Sequence, residues 1–181
     1  MSTTTTLSEL TGDYVLDTAR TRIGFVARHT MAGRVRGRFA EFEGGAHLDG
    51  DDPSRSSVRL TVQAASIQTR NSQRDGHLRT RFLKADAHPA LTFASTTVEQ
   101  TGDAGFEVTG DLTICGVTRP VTMDIELTGV ENGPRGALQV GFKGSLTINR
   151  SHWGVNWNAA TTVVVSPKVL LEFDVTAIRR S

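Results

Sequence analysis

The chain has 181 residues, of which 38% are hydrophobic, with a formal net charge of +1 and a single cysteine, Cys115. That length suits one domain. The near-neutral charge supplies no global basic excess for phosphates, so nucleic acid is not an expected partner, and one thiol excludes an internal disulfide framework.

The chain opens with a Thr run, Thr3 to Thr6. It has no basic region, apolar core or small-residue cleavage site before it, so it does not read as a secretory signal. No apolar run reaches the ~18 residues that a membrane-spanning helix needs. We therefore expect residues 1–12 to be a disordered tail, residues 13–181 to be one domain, and the protein to be cytoplasmic.

Period-two alternation dominates the chain from Tyr14 onward. Tyr14 to Asp17 opens a strand that resumes at Ile23, Phe25 and Ala27. Val35, Gly37 and Phe39 alternate with Arg34, Arg36 and Arg38, and Phe42, Ala46 and Leu48 continue past a bulge. Val58, Leu60 and Val62 form the next strand, ending near Ile67, and Leu91 with Phe93 starts another. Phe106 to Ile114, Val121 to Leu127, Leu138 to Ile148 and Val169 to Ala177 each keep one apolar face. Turn-like segments such as Asp49-Gly50-Asp51-Asp52-Pro53 and Glu131-Asn132-Gly133-Pro134 make neighbours antiparallel. An all-β, eight-stranded antiparallel barrel hides the apolar face and removes the edges. A two-sheet sandwich satisfies the same pattern.

Residues 70–84 break the period and predict one short helix. Ser72 with Asp75 resembles a capping box, and Leu78 and Phe82 share a helical face. The segment holds Arg70, Arg74, Arg79, Arg81 and Lys84 against Asp75. It reads as a contact for an anionic head group or a transient contact with a membrane surface, or more plainly as a solvated face.

The five histidines lack zinc spacing, so no metal is expected. No nucleophile elbow or phosphate-cradling Gly loop is present, so no catalytic residue is assigned. The enzyme alternative is an Asp75–His77 acid–base pair. Cys115 reads as a small strand residue.

Six of the eight Phe, Phe25, Phe39, Phe93, Phe106, Phe142 and Phe173, fall in phase with the apolar faces. Gly37, Gly110 and Gly144 leave gaps in that phase, which either large side chains or a ligand must fill. Trp153 either lines the barrel mouth or packs in a loop.

Several ordered motifs resemble the YceI-like family of polyisoprenoid-binding proteins. They are Tyr14-x-Leu16-Asp17, Ile23-x-Phe25 with His29, and Val35-x-Gly37-x-Phe39 with Phe42-x-Gly44. Ser66-Ile67-x-Thr69 and Arg74-Asp75-x-His77-Leu78 with Phe82 come next, then Pro89-x-x-Thr92-Phe93. Gly110-x-Leu112-Thr113-Ile114-x-Gly116-Val117-Thr118-x-Pro120-Val121 and Arg150-Ser151-x-Trp153-Gly154 complete the set. The resemblance implies a lipocalin-like barrel whose tunnel takes a polyisoprenoid, an isoprenoid quinone or a similar long amphiphile, with no other cofactor. It makes Phe25, Phe39, Phe42, Ile67, Leu78 and Phe82 candidate ligand contacts. Phe93, Leu112, Phe142, Trp153 and Phe173 join them. Arg74, Asp75 and His77 become candidates for the head group. Many relatives carry an export signal, and this N-terminus departs from them. A homodimer is the default oligomer.

Overall fold

The computed structural model describes residues 7–29, 33–133, 136–155 and 165–180. Among the described residues the alternating sequence folds into eleven strand segments. These are β1 (Gly12–Leu16), β2 (Arg22–His29), β3 (Gly33–Phe39), β4 (Phe42–Leu48), β5 (Ser57–Gln63) and β6 (Ile67–Gln68). The later segments are β7 (Ala90–Gln100), β8 (Gly105–Ile114), β9 (Val117–Asn132), β10 (Leu138–Asn149) and β11 (Val165–Arg179).

The segments make eight staves, because β1 and β2, β3 and β4, and β5 and β6 are each one stave with a break. The bulge expected near Phe42 is such a break, at Ala40–Glu41. β1 pairs with β4 on one side and with β11 on the other, through Tyr14 opposite both Ala46 and Arg179. That double pairing closes the ring, so the fold is an antiparallel barrel and not a sandwich. Register slips at Ser95/Thr97 and Gly141/Phe142 bend the long strands into the closed wall.

The ring is not laddered everywhere. β6 pairs only with β3, over two residues, and β7 pairs with β5 and β8. Between β6 and β7 the wall has a gap, and the segment joining them fills it. It forms α1 (Ser72–His77), which runs on into a wider π turn over Leu78–Phe82 closed by Leu83 N–H donating to the Leu78 carbonyl. The helical segment is therefore shorter than the expected 70–84. Its cap also differs from the expected Ser72/Asp75 box. The Asn71 side chain accepts from Arg74 N–H, while Asp75 reaches back to Thr69. Asn one residue earlier is an equally good N-cap, and the Thr69 donors compete for the Asp75 carboxylate.

The opposite end corrects the expected tail. Leu7–Leu10 forms a 3-10 turn, Leu10 is buried, and its carbonyl accepts from the Tyr14 hydroxyl at 2.7 Å. Leu10 packs with Tyr14, Val140 and Ala177, so apolar burial orders residues whose polar neighbours read as disordered. Residues 1–6 lie outside the described residues.

The glycine gaps are filled by side chains. A Cβ at Gly37 would collide with the Phe25 ring, one at Gly110 would lie 2.6 Å from the Phe93 ring, and one at Gly144 would collide with Ile125. Phe25 then packs against Phe39 with ring centroids 5.9 Å apart.

Candidate functional site

Filling those gaps does not fill the barrel. A cavity of about 820 Å³ runs along the interior from Leu7 and Leu10 at one end to Arg74 and His77 at the other. Its wall comes from the inward phase of the strands. Phe106, Val108, Leu112 and Ile114 line it from β8, and Leu146 and Ile148 from β10. β11 adds Val169, Leu171, Phe173, Val175 and Ala177. Period-two alternation delivers apolar side chains inward from stave after stave, which makes one continuous greasy lining.

Nine of the eleven apolar candidates stand in that wall: Phe25, Phe39, Ile67, Leu78, Phe82, Phe93, Leu112, Phe142 and Phe173. The other two do not. Phe42 packs against the main core from the β3/β4 break. Trp153 is buried in the main core without lining the cavity, and its indole Nε1–H donates to the Leu112 carbonyl at 2.9 Å. A buried indole N–H needs an acceptor, and the Leu112 carbonyl of β8 provides one. Trp153 therefore packs within the wall rather than lining the mouth.

The polar candidates sit at the helical end, while Asp49, Ser56 and Arg59 line the cavity at the opposite end. Arg74 and His77 line the cavity. The Arg74 fork is partly used by its own segment. Nε donates to Thr69 Oγ1 at 2.8 Å and Nη2 to the Thr69 carbonyl at 2.7 Å. Five N–H bonds in the fork leave others for a guest. Asp75 is buried and is not a lining residue. Its Oδ1 accepts from Thr69 N–H at 2.8 Å and from the Thr69 hydroxyl. The carboxylate thus clamps the start of the helical segment to the end of β6, the stub that begins the gap.

Four further residues belong to this end and were not site candidates from the sequence, although Arg150 heads one of the ordered motifs. Asn71 and Gln73 line the cavity and are exposed, and Arg28 does the same from the end of β2. The cavity reaches the surface between them. The signal for Arg28 is a cation next to the inward Ala27, one residue before β2 ends. Arg150 is the fourth. It lines the cavity though only 4% exposed, and burial lowers its guanidinium from the ordinary arginine value. Nη1 donates to the Val155 carbonyl at 2.6 Å, Nε donates to the Ser166 carbonyl at 3.1 Å, and its Cζ lies 5.9 Å from the Phe82 ring centroid. It ties the turn after β10 to the start of β11 and to the helical segment.

Cys115 occupies the two-residue β8–β9 turn with a left-handed φ of 52° beside Gly116 at 75°. Its thiol donates to the Leu83 carbonyl at 3.2 Å and the Phe82 carbonyl at 3.4 Å. Burial raises its pKa against the opposing pull of Lys84. The thiol is a strap on the segment covering the gap, where the sequence reads as a strand residue. Among the described residues no three of His, Cys, Asp and Glu gather as a metal site requires, and no helix is long and apolar enough to cross a membrane.

Comparison with known proteins agrees with this architecture. A UPF0312 protein of Pseudomonas paraeruginosa is 36% identical over 159 residues, which cover 87% of this chain and 81% of the relative. A UPF0312 protein of Vibrio parahaemolyticus is 34% identical over 146 residues, 79% of this chain and 77% of the relative. The YCEI protein of Campylobacter jejuni superposes with a TM-score of 0.76 at 28% identity, covering 100% of both chains. A polyisoprenoid-binding domain of Saccharophagus degradans shares the fold, with a TM-score of 0.74 at 15% identity over 92% of this chain and 98% of that one. The family description of a YceI-like domain matches residues 14–177, almost the whole barrel, and the chain belongs to that family.

Proposed function

We propose that the barrel binds one long apolar molecule, a polyisoprenoid or an isoprenoid quinone, with its tail in the tunnel and its head at the helical end. The observation that carries this reading is the 820 Å³ cavity with its apolar wall. A methylene is about the size of a water, which takes roughly 30 Å³ of liquid, so the space suits on the order of 27 carbon-sized groups. An apolar cavity gains little from water, which finds no hydrogen-bond partners there. Each buried CH₂ contributes about 0.8 kcal/mol, so a guest of that length has roughly 20 kcal/mol of gross driving force before chain-ordering and rigid-body costs. The polyisoprenoid-binding relative supports the same class of guest.

Arg74 and His77 would contact the head group, with Arg28 and the exposed amides of Asn71 and Gln73 beside them. Asp75 acts behind them by holding the segment. That assignment also weighs against the enzyme alternative, because the Asp75 carboxylate is buried, does not line the cavity and has Oδ1 engaged by Thr69.

Native mass spectrometry of freshly purified protein, followed by solvent extraction, tests the reading. We expect a discrete added mass of a prenyl or other long-chain lipid. A bare protein mass that stays bare after incubation with a prenyl quinone and a prenyl phosphate would overturn it.

A further inference from the structure

Charge is distributed along the barrel axis in a way that the net value of +1 conceals. At the helical end Arg28 and Arg34 face each other across the β2–β3 pair. The segment filling the gap adds Arg70, Arg74, Arg79, Arg81 and Lys84. Arg119 stands near the start of β9, Arg150 follows β10, and Lys168 lies near the start of β11. These ten cations stand against three carboxylates, Asp75, Asp86 and Asp111, and Asp75 is buried against Thr69. The other end is acidic. Asp49, Asp51 and Asp52 fill the β4–β5 turn, Glu99, Asp103 and Glu107 flank the β7–β8 turn, and Glu126 and Glu131 lie towards the end of β9. Arg55, Arg59, Lys143, Arg179 and Arg180 offset them only in part.

Arg28, Arg34, Arg70, Lys84, Arg119 and Lys168 are all exposed, and they come from five places around the rim of one end. The cations therefore encircle the mouth where the cavity surfaces between Arg28, Asn71 and Gln73. Val117, one of the large apolar side chains exposed on the barrel, sits on the same rim. Cations around the opening of an apolar tunnel are complementary to a surface that is anionic outside and apolar beneath. Nucleic acid supplies the charge but nothing for the tunnel.

We propose that the helical end docks on anionic phospholipid bilayers and presents the tunnel mouth to the membrane. This purpose rests on the lipid-binding reading above, but the docking is measured without any guest. Lys and Arg near an anionic surface each contribute about a five-fold factor in partitioning, and the attraction fades within a Debye length.

The test is flotation of the purified protein with vesicles of phosphatidylcholine alone, or with about a third phosphatidylglycerol. We expect retention on the anionic vesicles only, lost at 1 M salt, where the Debye length is about 3 Å. Arg34→Gln, Arg79→Gln and Lys84→Gln together should weaken binding about a hundredfold. None of the three lines the cavity, so uptake of a prenyl quinone from detergent should be unchanged. The pair Arg55→Gln and Lys143→Gln, away from this rim, should change vesicle binding less than twofold. No retention on anionic vesicles, equal retention on neutral ones, or equal loss in the two variants would overturn the proposal. Retention on duplex DNA with none on vesicles would do so too. The wild-type salt titration decides the matter even if the triple variant folds poorly. Docking without quinone uptake would instead count against the lipid-binding reading and leave the docking surface standing.

Discussion

Asp75→Ala separates a structural carboxylate from one that serves a guest. The substitution removes the acceptor for two Thr69 donors, the backbone N–H at 2.8 Å and the hydroxyl at 2.5 Å. Both residues are buried, Thr69 at 4% and Asp75 at 8% exposure, so water does not replace the lost acceptor freely. A hydrogen bond to a charged acceptor contributes about 1.5–3 kcal/mol net, and a stranded buried N–H costs a similar amount. The hydroxyl can rotate to another acceptor, but the N–H cannot. We expect a loss of about 3 kcal/mol from a total of about 5–15 kcal/mol. For a domain of this size that lowers Tm by about 6–12 °C. Urea unfolding followed by tryptophan fluorescence should show a lower midpoint with an unchanged slope. Asp75→Asn keeps an oxygen acceptor in place and should lose about half as much. A stability change below about 0.5 kcal/mol in Asp75→Ala, together with lost lipid uptake, would refute the clamp and return Asp75 to the guest or to chemistry.

Other consequences arise from the same contacts. Phe93→Asp or Phe142→Asp puts a charge into the apolar lining and should lower lipid occupancy at least tenfold by native mass spectrometry, whereas Phe42→Leu, outside the lining, should leave occupancy unchanged. Trp153→Phe removes the donor to Leu112 and should cost about 1–2 kcal/mol in urea unfolding without altering uptake. Burial raises the Tyr14 pKa above its ordinary value of 10.0, opposed by Arg179. Above pH 10 the unfolded chain therefore sheds a proton that the folded one keeps, so stability falls as pH rises. Tyr14→Phe should flatten that alkaline decline, and an unchanged decline would show that the phenol plays no part in it. Backbone amides of residues 70–86 should exchange with deuterium faster than those of β8 to β10, and equal protection would contradict a side-chain-held segment.

Much of the barrel was legible because burial on one face of a strand leaves a period of two, and Phe106 to Ile114 or Val169 to Ala177 cannot satisfy that pattern in any other way. The wall of the cavity was legible for the same reason, since the phase that makes Phe93 or Phe173 core also makes it lining. What the pattern does not contain is whether facing side chains meet. Gly37, Gly110 and Gly144 looked like vacancies, yet Phe25, Phe93 and Ile125 occupy them, and the open volume lies elsewhere along the axis. The mouth was read least well, because its residues are placed by breaks rather than by periods. Asp75 looked like a cap and is a clamp. Arg28 and Arg150 became visible only when the ends of β2 and β10 were brought beside the helical segment. Leu7 and Leu10, three apart in a polar run, carried a helical spacing too short to stand out from a tail.

One break explains why binding and stability should be coupled in this barrel. Most neighbouring staves share a backbone ladder along their length, as β10 and β11 do from Gln139–Ile178 to Asn149–Lys168, although β9 and β10 pair only as far as Asp124–Ser145. Between β6 and β7 the segment that fills the wall bonds mainly to itself, and side chains fasten it to the barrel: Asp75 to Thr69, Cys115 to the Phe82 and Leu83 carbonyls, and Arg150 against Phe82. A few such contacts open at lower cost than a strand pair, which exposes a row of unpaired donors and acceptors when it parts. A guest about as long as the tunnel needs a wall that yields somewhere, and this seam can part without unzipping a ladder. Phe82 and Leu78 line the tunnel from that same segment, so a guest in place adds apolar contacts where side chains rather than a ladder hold the wall. A guest that contacts the segment only when it is closed must favour the closed state by the difference in its affinity for the two. Loading should therefore slow exchange in residues 70–86 more than in the laddered strands.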